Sequence, residues 1–256
     1  MTRIRIYKAL SVFVFAFLYI FTALVILAGF PFLLVRAKTV VRFLMRAWAK
    51  GVFLIMGLKI EVRGRENAEK SSRFILVANH SSLFDIIAIV SLFPDVAWFG
   101  HERLMKIPVF REVLVLTDYI PMRKSTVSNT RLMVSELVEK SKSNNIAIFP
   151  EGTRTLDGKL NDFYRGFIIL LRASDVDLLP VTLNGFYSLK PKNRSYIDFS
   201  SVLSATIHEP FTGKYLREKS DTEIVSLIKL KIESGLEEIP EVTSEEPKVV
   251  TLKSKS

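Results

Sequence analysis

Between Ala9 and Val35 the chain carries 27 consecutive residues without a charge, most of them apolar. No other feature constrains it as strongly. The run exceeds the roughly 20 residues that a helix needs to cross the hydrocarbon of a bilayer. It is long for the apolar core of a cleaved signal, and no small-x-small cleavage site follows it. A retained membrane segment is therefore expected; the alternative, a cleaved signal, requires a mature N-terminus beyond residue 30. Pro31 sits where it can kink or end the helix. Basic residues flank both ends, so charge does not decide between a span and a segment that folds back.

The formal charge of the 256 residues is +10, a balance that on its own suggests nucleic acid. Its distribution argues against that partner. Arg3, Arg5, Lys8, Arg36, Lys38, Arg42, Arg46 and Lys50 supply eight of the ten charges, within a stretch that contains no acid. The basic character belongs to the hydrophobic N-terminal part, and anionic headgroups attract such residues by about 1 kcal/mol each. From Ala37 to Leu58 the cations recur every fourth residue, with Val40, Leu44, Ala47, Trp48 and Ile55 on the other side. This pattern predicts a helix in the membrane interface, its stripe toward headgroups; an amphipathic helix packed on the domain has the same pattern. The chain has no cysteine and three scattered histidines. Disulfides and thiolate chemistry are excluded, and no metal site is expected.

From Lys59 the texture is α/β. KIEVRG predicts a strand and a turn, and RFILVA a buried strand. Asp85 to Phe93 suits a helix against a sheet. Leu114 to Met122 looks strand-like, Ser125 to Lys142 helical, and NIAIFP a short buried strand ended by proline. DLLPVTL and YIDFSSVLSATI predict later strands. Ser220 to Glu223 is a capping box that opens a last helix to about Leu236. The polar tail from Glu241 is expected to be disordered. The fold class expected is α/β, a mixed sheet flanked by helices and preceded by N-terminal membrane-associated helices. Its parts are residues 1–58 (membrane segment and basic interfacial helix), 59–240 (catalytic domain) and 241–256 (tail).

Two motifs carry chemistry. In NHSSLFD, His80 follows a buried strand, at the kind of sheet edge where open α/β proteins place their sites. A neutral imidazole there can take a proton from a substrate hydroxyl, and Asp85 can reach back to fix its tautomer. Ser82 to Asp85 is also a capping-box pattern, in which Asp85 binds backbone donors instead. No G-x-S-x-G is present, so any hydroxyl nucleophile must come with the substrate. In FPEGTR, Gly152 permits positive φ or close approach of a ligand. Arg154 offers a planar fork for phosphate oxygens. Glu151 can orient that arginine or bind a substrate hydroxyl. A plain turn with a surface ion pair would look the same.

Together, NHSSLFD and FPEGTR resemble the N-H-x-x-x-x-D box and the second signature of the glycerolipid acyltransferases, the family of 1-acylglycerol-3-phosphate acyltransferases. Their order and their separation of about seventy residues also fit. VRGREN, LMKIPVF, YIPMR, DGKLNDFYRG and LLPVTL resemble the family's lesser blocks, so the likeness covers about Lys59 to Gly185. It implies His80 as general base, Asp85 as its orienting partner, and Glu151, Gly152, Thr153 and Arg154 as binders of the acceptor's glycerol phosphate. Arg123 falls at the family's other phosphate-binding arginine. Departures occur at His101, where a lysine is common, near Thr117, where a glycine is common, and at Phe163-Tyr-Arg-Gly166. The resemblance further implies a membrane-anchored enzyme, its catalytic domain on the cytoplasmic face. It would move an acyl chain from acyl-CoA or acyl carrier protein (acyl-ACP) to a lysophospholipid hydroxyl, with no cofactor. A catalytically silent lipid-binding protein on the same fold is the competing expectation.

Overall fold

The computed structural model describes residues 2–107, 109–122 and 127–238. Two long helices open the chain, α1 (Thr2–Leu34) and α2 (Lys38–Ile55). Pro31 lies inside the end of α1 rather than stopping it. α1 is long and apolar enough to cross a membrane, yet one stripe of it is docked on the protein. Ser11, Val14, Phe15, Leu18, Phe21 and Thr22 recur at helical spacing. The four apolar members of that stripe reach the core. Ser11 Oγ accepts from the Ile197 amide at 2.9 Å, and the Trp48 indole donates to Thr22 Oγ1 at 3.0 Å. α1 approaches α2 closely at Gly51, where an added Cβ would stand 2.5 Å from the Phe21 ring. Much of the rest of α1, including Phe13, Phe17, Ile20 and Leu27, is exposed.

α2 buries Val41, Ala49, Val52 and Phe53. Its basic stripe does not face outward as a unit, which corrects the expectation for its first half. Lys38 and Arg42 both turn to the carboxylate of Asp118, whose side chain is only 13 % exposed. A buried acid needs compensating cations, and these two are within reach.

The strands are β1 (Ile60–Arg63), β2 (Phe74–Ala78), β3 (Ala97–His101), β4 (Ile120–Met122), β5 (Ile146–Ile148), β6 (Asp177–Asn184) and β7 (Leu203–Ile207). Among the described residues they form a seven-stranded sheet in the order β1-β7-β6-β2-β5-β3-β4. β6, β2, β5, β3 and β4 are mutually parallel; β7 is antiparallel to β6, and β1 is parallel to β7. The remaining helices are α3 (Phe84–Leu92), α4 (Phe110–Leu116), α5 (Val127–Ser141), α6 (Gly166–Ala173), α7 (Phe186–Leu189), α8 (Gly213–Arg217) and α9 (Asp221–Glu233). The central strand β2 is buried on both faces because its side chains alternate. Phe74, Leu76 and Ala78 join the core beneath α1, α2 and α3, while Ile75 and Val77 join the core beneath α5, α6, α8 and α9.

Leu114 to Met122 is not one strand. Thr117 Oγ1 donates back to the Val113 carbonyl, Asp118 takes a left-handed φ of 64°, and the Tyr119 amide donates to the Leu114 carbonyl. These contacts close α4, leaving only Ile120–Met122 to pair with β3. In YIDFSSVLSATI only Leu203–Ile207 is strand; Ser200 binds the Asp198 carboxylate through its amide and its hydroxyl and turns the chain before it. β3 and α6 were not foreseen. The Ser220–Glu223 capping box has both of its bonds. The tail 241–256 lies outside the described residues.

Candidate active site

β2 and β5 are parallel neighbours, with Ile75 beside Ile146 and Val77 beside Ile148. Their carboxyl ends therefore open at one sheet edge, and the motifs that follow them meet there. The His80 amide donates to Glu151 Oε1 at 2.7 Å, and the Thr155 amide donates to the His80 carbonyl at 2.9 Å. Asn79 supports the departure from the sheet. Its side chain exchanges two hydrogen bonds with the Leu183 backbone of β6, at 2.8 and 2.9 Å, and so replaces a ladder pair where the main chain turns away.

His80 Nδ1 lies 2.9 Å from Asp85 Oδ2, and Asp85 is fully buried. The same oxygen accepts the amides of Ser81 at 2.6 Å and Ser82 at 2.7 Å. Asp85 therefore both gathers backbone donors at the head of α3 and binds the histidine, but the capping box is not complete: Leu83 is the N-cap of α3 and no side chain caps it. A carboxylate can only accept, so in the neutral ring Nδ1 carries the proton and Nε2 the lone pair. The ring stacks on Phe149 at 4.1 Å between centroids, and Trp98 packs behind Phe149 at 5.5 Å. The His80 side chain is 13 % exposed, enough to meet a substrate from one side.

In this structure Glu151, expected to bind substrate, has both oxygens held by backbone amides. It is 2 % exposed, and its second oxygen accepts the Asn161 amide at 2.9 Å. Burial raises its pKa, and the amide bonds from Asn161 and His80 oppose that rise. It is the clasp between the motifs. Gly152 has a left-handed φ of 64°, and an added Cβ would press on the Tyr164 ring at 3.1 Å. Thr153 is exposed and Arg154 half-buried. Arg154 makes no hydrogen bond or ion pair among the described residues. Arg123 lies outside them. No group of three or more metal-ligating side chains occurs among the described residues. A cavity of about 270 Å³, lined by residues including Phe74, Phe93 and Ile207, opens at the other end of β2, away from His80. Asn79, Asn161 and the segment after β6 were missed as contributors. Asn79 stands within the quoted motif, whereas Asn161 and the later segment carry no local signal.

Residues 59–184, the span from β1 to the end of β6, match the family model described as Acyltransferase. The class is thus an acyltransferase built on this α/β sheet. A 1-acyl-sn-glycerol-3-phosphate acyltransferase of Borreliella burgdorferi is 33% identical over 201 residues, which cover 77% of this chain and 79% of that protein. A chloroplastic relative of the same name from Brassica napus is 27% identical over 73% of this chain and 56% of its own length. The crystal structure of the 1-acyl-sn-glycerophosphate (LPA) acyltransferase PlsC from Thermotoga maritima superposes with a TM-score of 0.75 at 27% identity, covering 90% of this chain and 95% of that one. The chain belongs to the 1-acyl-sn-glycerol-3-phosphate acyltransferase family.

Proposed function

We propose that this enzyme transfers a fatty acyl chain from acyl-CoA or acyl-ACP to the free hydroxyl of 1-acyl-sn-glycerol 3-phosphate, giving phosphatidic acid. The observation that carries the reading is the 2.9 Å contact of His80 Nδ1 with buried Asp85, which in the neutral ring leaves the Nε2 lone pair free at the carboxyl end of β2. Nε2 takes the acceptor's hydroxyl proton as its oxygen attacks the thioester carbonyl. The new C–O bond forms, the tetrahedral oxyanion collapses, and the C–S bond breaks. The proton held on His80 passes to the departing thiolate, and no covalent enzyme intermediate is involved. Arg154, with Thr153 and Arg123, binds the glycerol phosphate, and Gly152 lets the turn approach it. α1 holds the site at the lipid surface, with the catalytic domain on the cytoplasmic side where the thioester donors are available.

The test uses the full chain in detergent with a radiolabelled acyl donor. His80→Ala is expected to lower kcat by about 10²–10⁴, the usual worth of a general base. Transfer at the wild-type rate in this variant would remove His80 from the mechanism. No transfer by the wild type to any lysophospholipid would favour the silent lipid-binding protein.

A further inference from the structure

The segment after β6 brings a second cation to the site. Three ties hold it between the two motifs. Ser82 Oγ donates to the Lys190 carbonyl at 2.6 Å, Ser82 pairs with Pro191 in an isolated antiparallel bridge, and the Tyr187 hydroxyl donates to the Leu156 carbonyl at 2.9 Å. The Lys190 ammonium is half-buried and donates one hydrogen bond, to the Arg194 carbonyl at 2.9 Å. Among the described residues it has no carboxylate partner. Burial lowers its pKa, and the positive charges of Arg154 and then Arg194 lower it further. Arg194 is already committed. Its guanidinium donates to the carbonyls of Ser188, Leu189 and Tyr196, and its face lies 4.8 Å from the Tyr196 ring centroid. The ties to Ser82 and Leu156 thus bring the Lys190 segment against both motifs, near enough for the charge of Arg154 to act on Lys190, and among the described residues both cations keep donors to spare. Like charges held together out of bulk water are costly until an anion joins them.

We propose that Lys190 shares the acceptor's phosphate with Arg154, and that the pair selects a phosphomonoester over a phosphodiester headgroup. The proposal rests on the acceptor site read above. A phosphomonoester carries about −1.5 to −2 charges at pH 7, whereas a diester carries one. The arginine fork neutralises one charge through two parallel bonds, and a lysine point charge meets the other.

The experiment compares wild type, Lys190→Gln and Lys190→Arg as full chains in detergent. For Lys190→Gln the KM for 1-acyl-sn-glycerol 3-phosphate is expected to rise about tenfold, or about 1.4 kcal/mol, with kcat within about twofold. Lys190→Arg is expected to restore most of the loss, which a merely structural role would not predict. Inorganic phosphate is expected to raise the melting temperature of the wild type and of Lys190→Arg, but not that of Lys190→Gln. An unchanged KM in Lys190→Gln, with the wild type active, overturns the proposal and leaves the acyltransferase reading intact. If the wild type transfers to no acceptor, that reading fails, and the phosphate melts decide alone: loss in Lys190→Gln keeps an anion site at Lys190, and equal stabilisation removes it.

Discussion

A single carboxylate oxygen does two jobs at Asp85. Oδ2 accepts from the amides of Ser81 and Ser82 and from the His80 ring, so the contact that shapes the turn also orients the proposed base. Glu151 works in the same way from the neighbouring motif, with one oxygen on the His80 amide and the other on the Asn161 amide. This gives a sharp expectation for Glu151→Gln. The substituted side chain has one acceptor and one donor, and the donor must face an N–H. Leaving a buried donor unmatched costs about 1–3 kcal/mol, and it displaces the backbone that carries His80. Glu151→Gln is therefore expected to lower both the midpoint of chemical denaturation and kcat, while the acceptor KM stays within about twofold. A raised KM at unchanged kcat would instead put the Glu151 carboxylate on the substrate.

At the scale of elements, α2 is the part whose role changed most on going from sequence to structure. Its apolar face joins the core under the sheet, and its first turns reach Asp118, which also meets Lys140 of α5. Asp118 sits in the turn between α4 and β4, so one carboxylate ties four elements. Burial pushes its pKa up, but Lys140 and Lys38 outweigh burial and the net shift is downward from 3.8. The stabilisation is thus full above pH 3.8 and is lost as the pH falls through the lower folded value. Asp118→Asn keeps a residue that tolerates the left-handed φ and removes only the charge. It is expected to cost about 1–2 kcal/mol near neutral pH, because Lys38 and Lys140 are more than a third exposed and screened. Denaturation curves of the two proteins should converge as the pH falls below 3.8. A gap that persists in acid would mean that the hydrogen bonds, not the charge, hold the turn.

For the whole molecule the question is how a helix able to cross a bilayer relates to a catalytic domain packed on its side. Phe17 is 67% exposed and the adjacent Leu18 is 9% exposed. The apolar exposed face suits hydrocarbon, while the opposite stripe belongs to the protein core. The native chain has no cysteine, so single thiols report cleanly. In vesicles, the thiol of Phe17→Cys is expected to react with a lipid-soluble maleimide and to resist a charged one, whereas that of Leu18→Cys resists both. Equal reactivity of the two thiols would mean that α1 leaves the domain when lipid is present.

The properties legible along the chain were those decided by residues within a few positions of one another. The apolar run of α1, the two-sided burial of β2, the capping box of α9 and the identity of the His80–Asp85 pair all depend on local spacing. Apolar runs near β-branched residues were ambiguous, which is why Leu114 to Met122 looked like one strand. The rest depended on strand order. The order places β5 against β2, and that adjacency turns Glu151 inward as a clasp. It also brings the Lys190 segment from beyond β6 against Ser82 and Leu156, and the sheet's packing hands the first cations of α2 to Asp118. No local period encodes which parallel strands become neighbours, because that choice is made by burying both faces of the sheet at once.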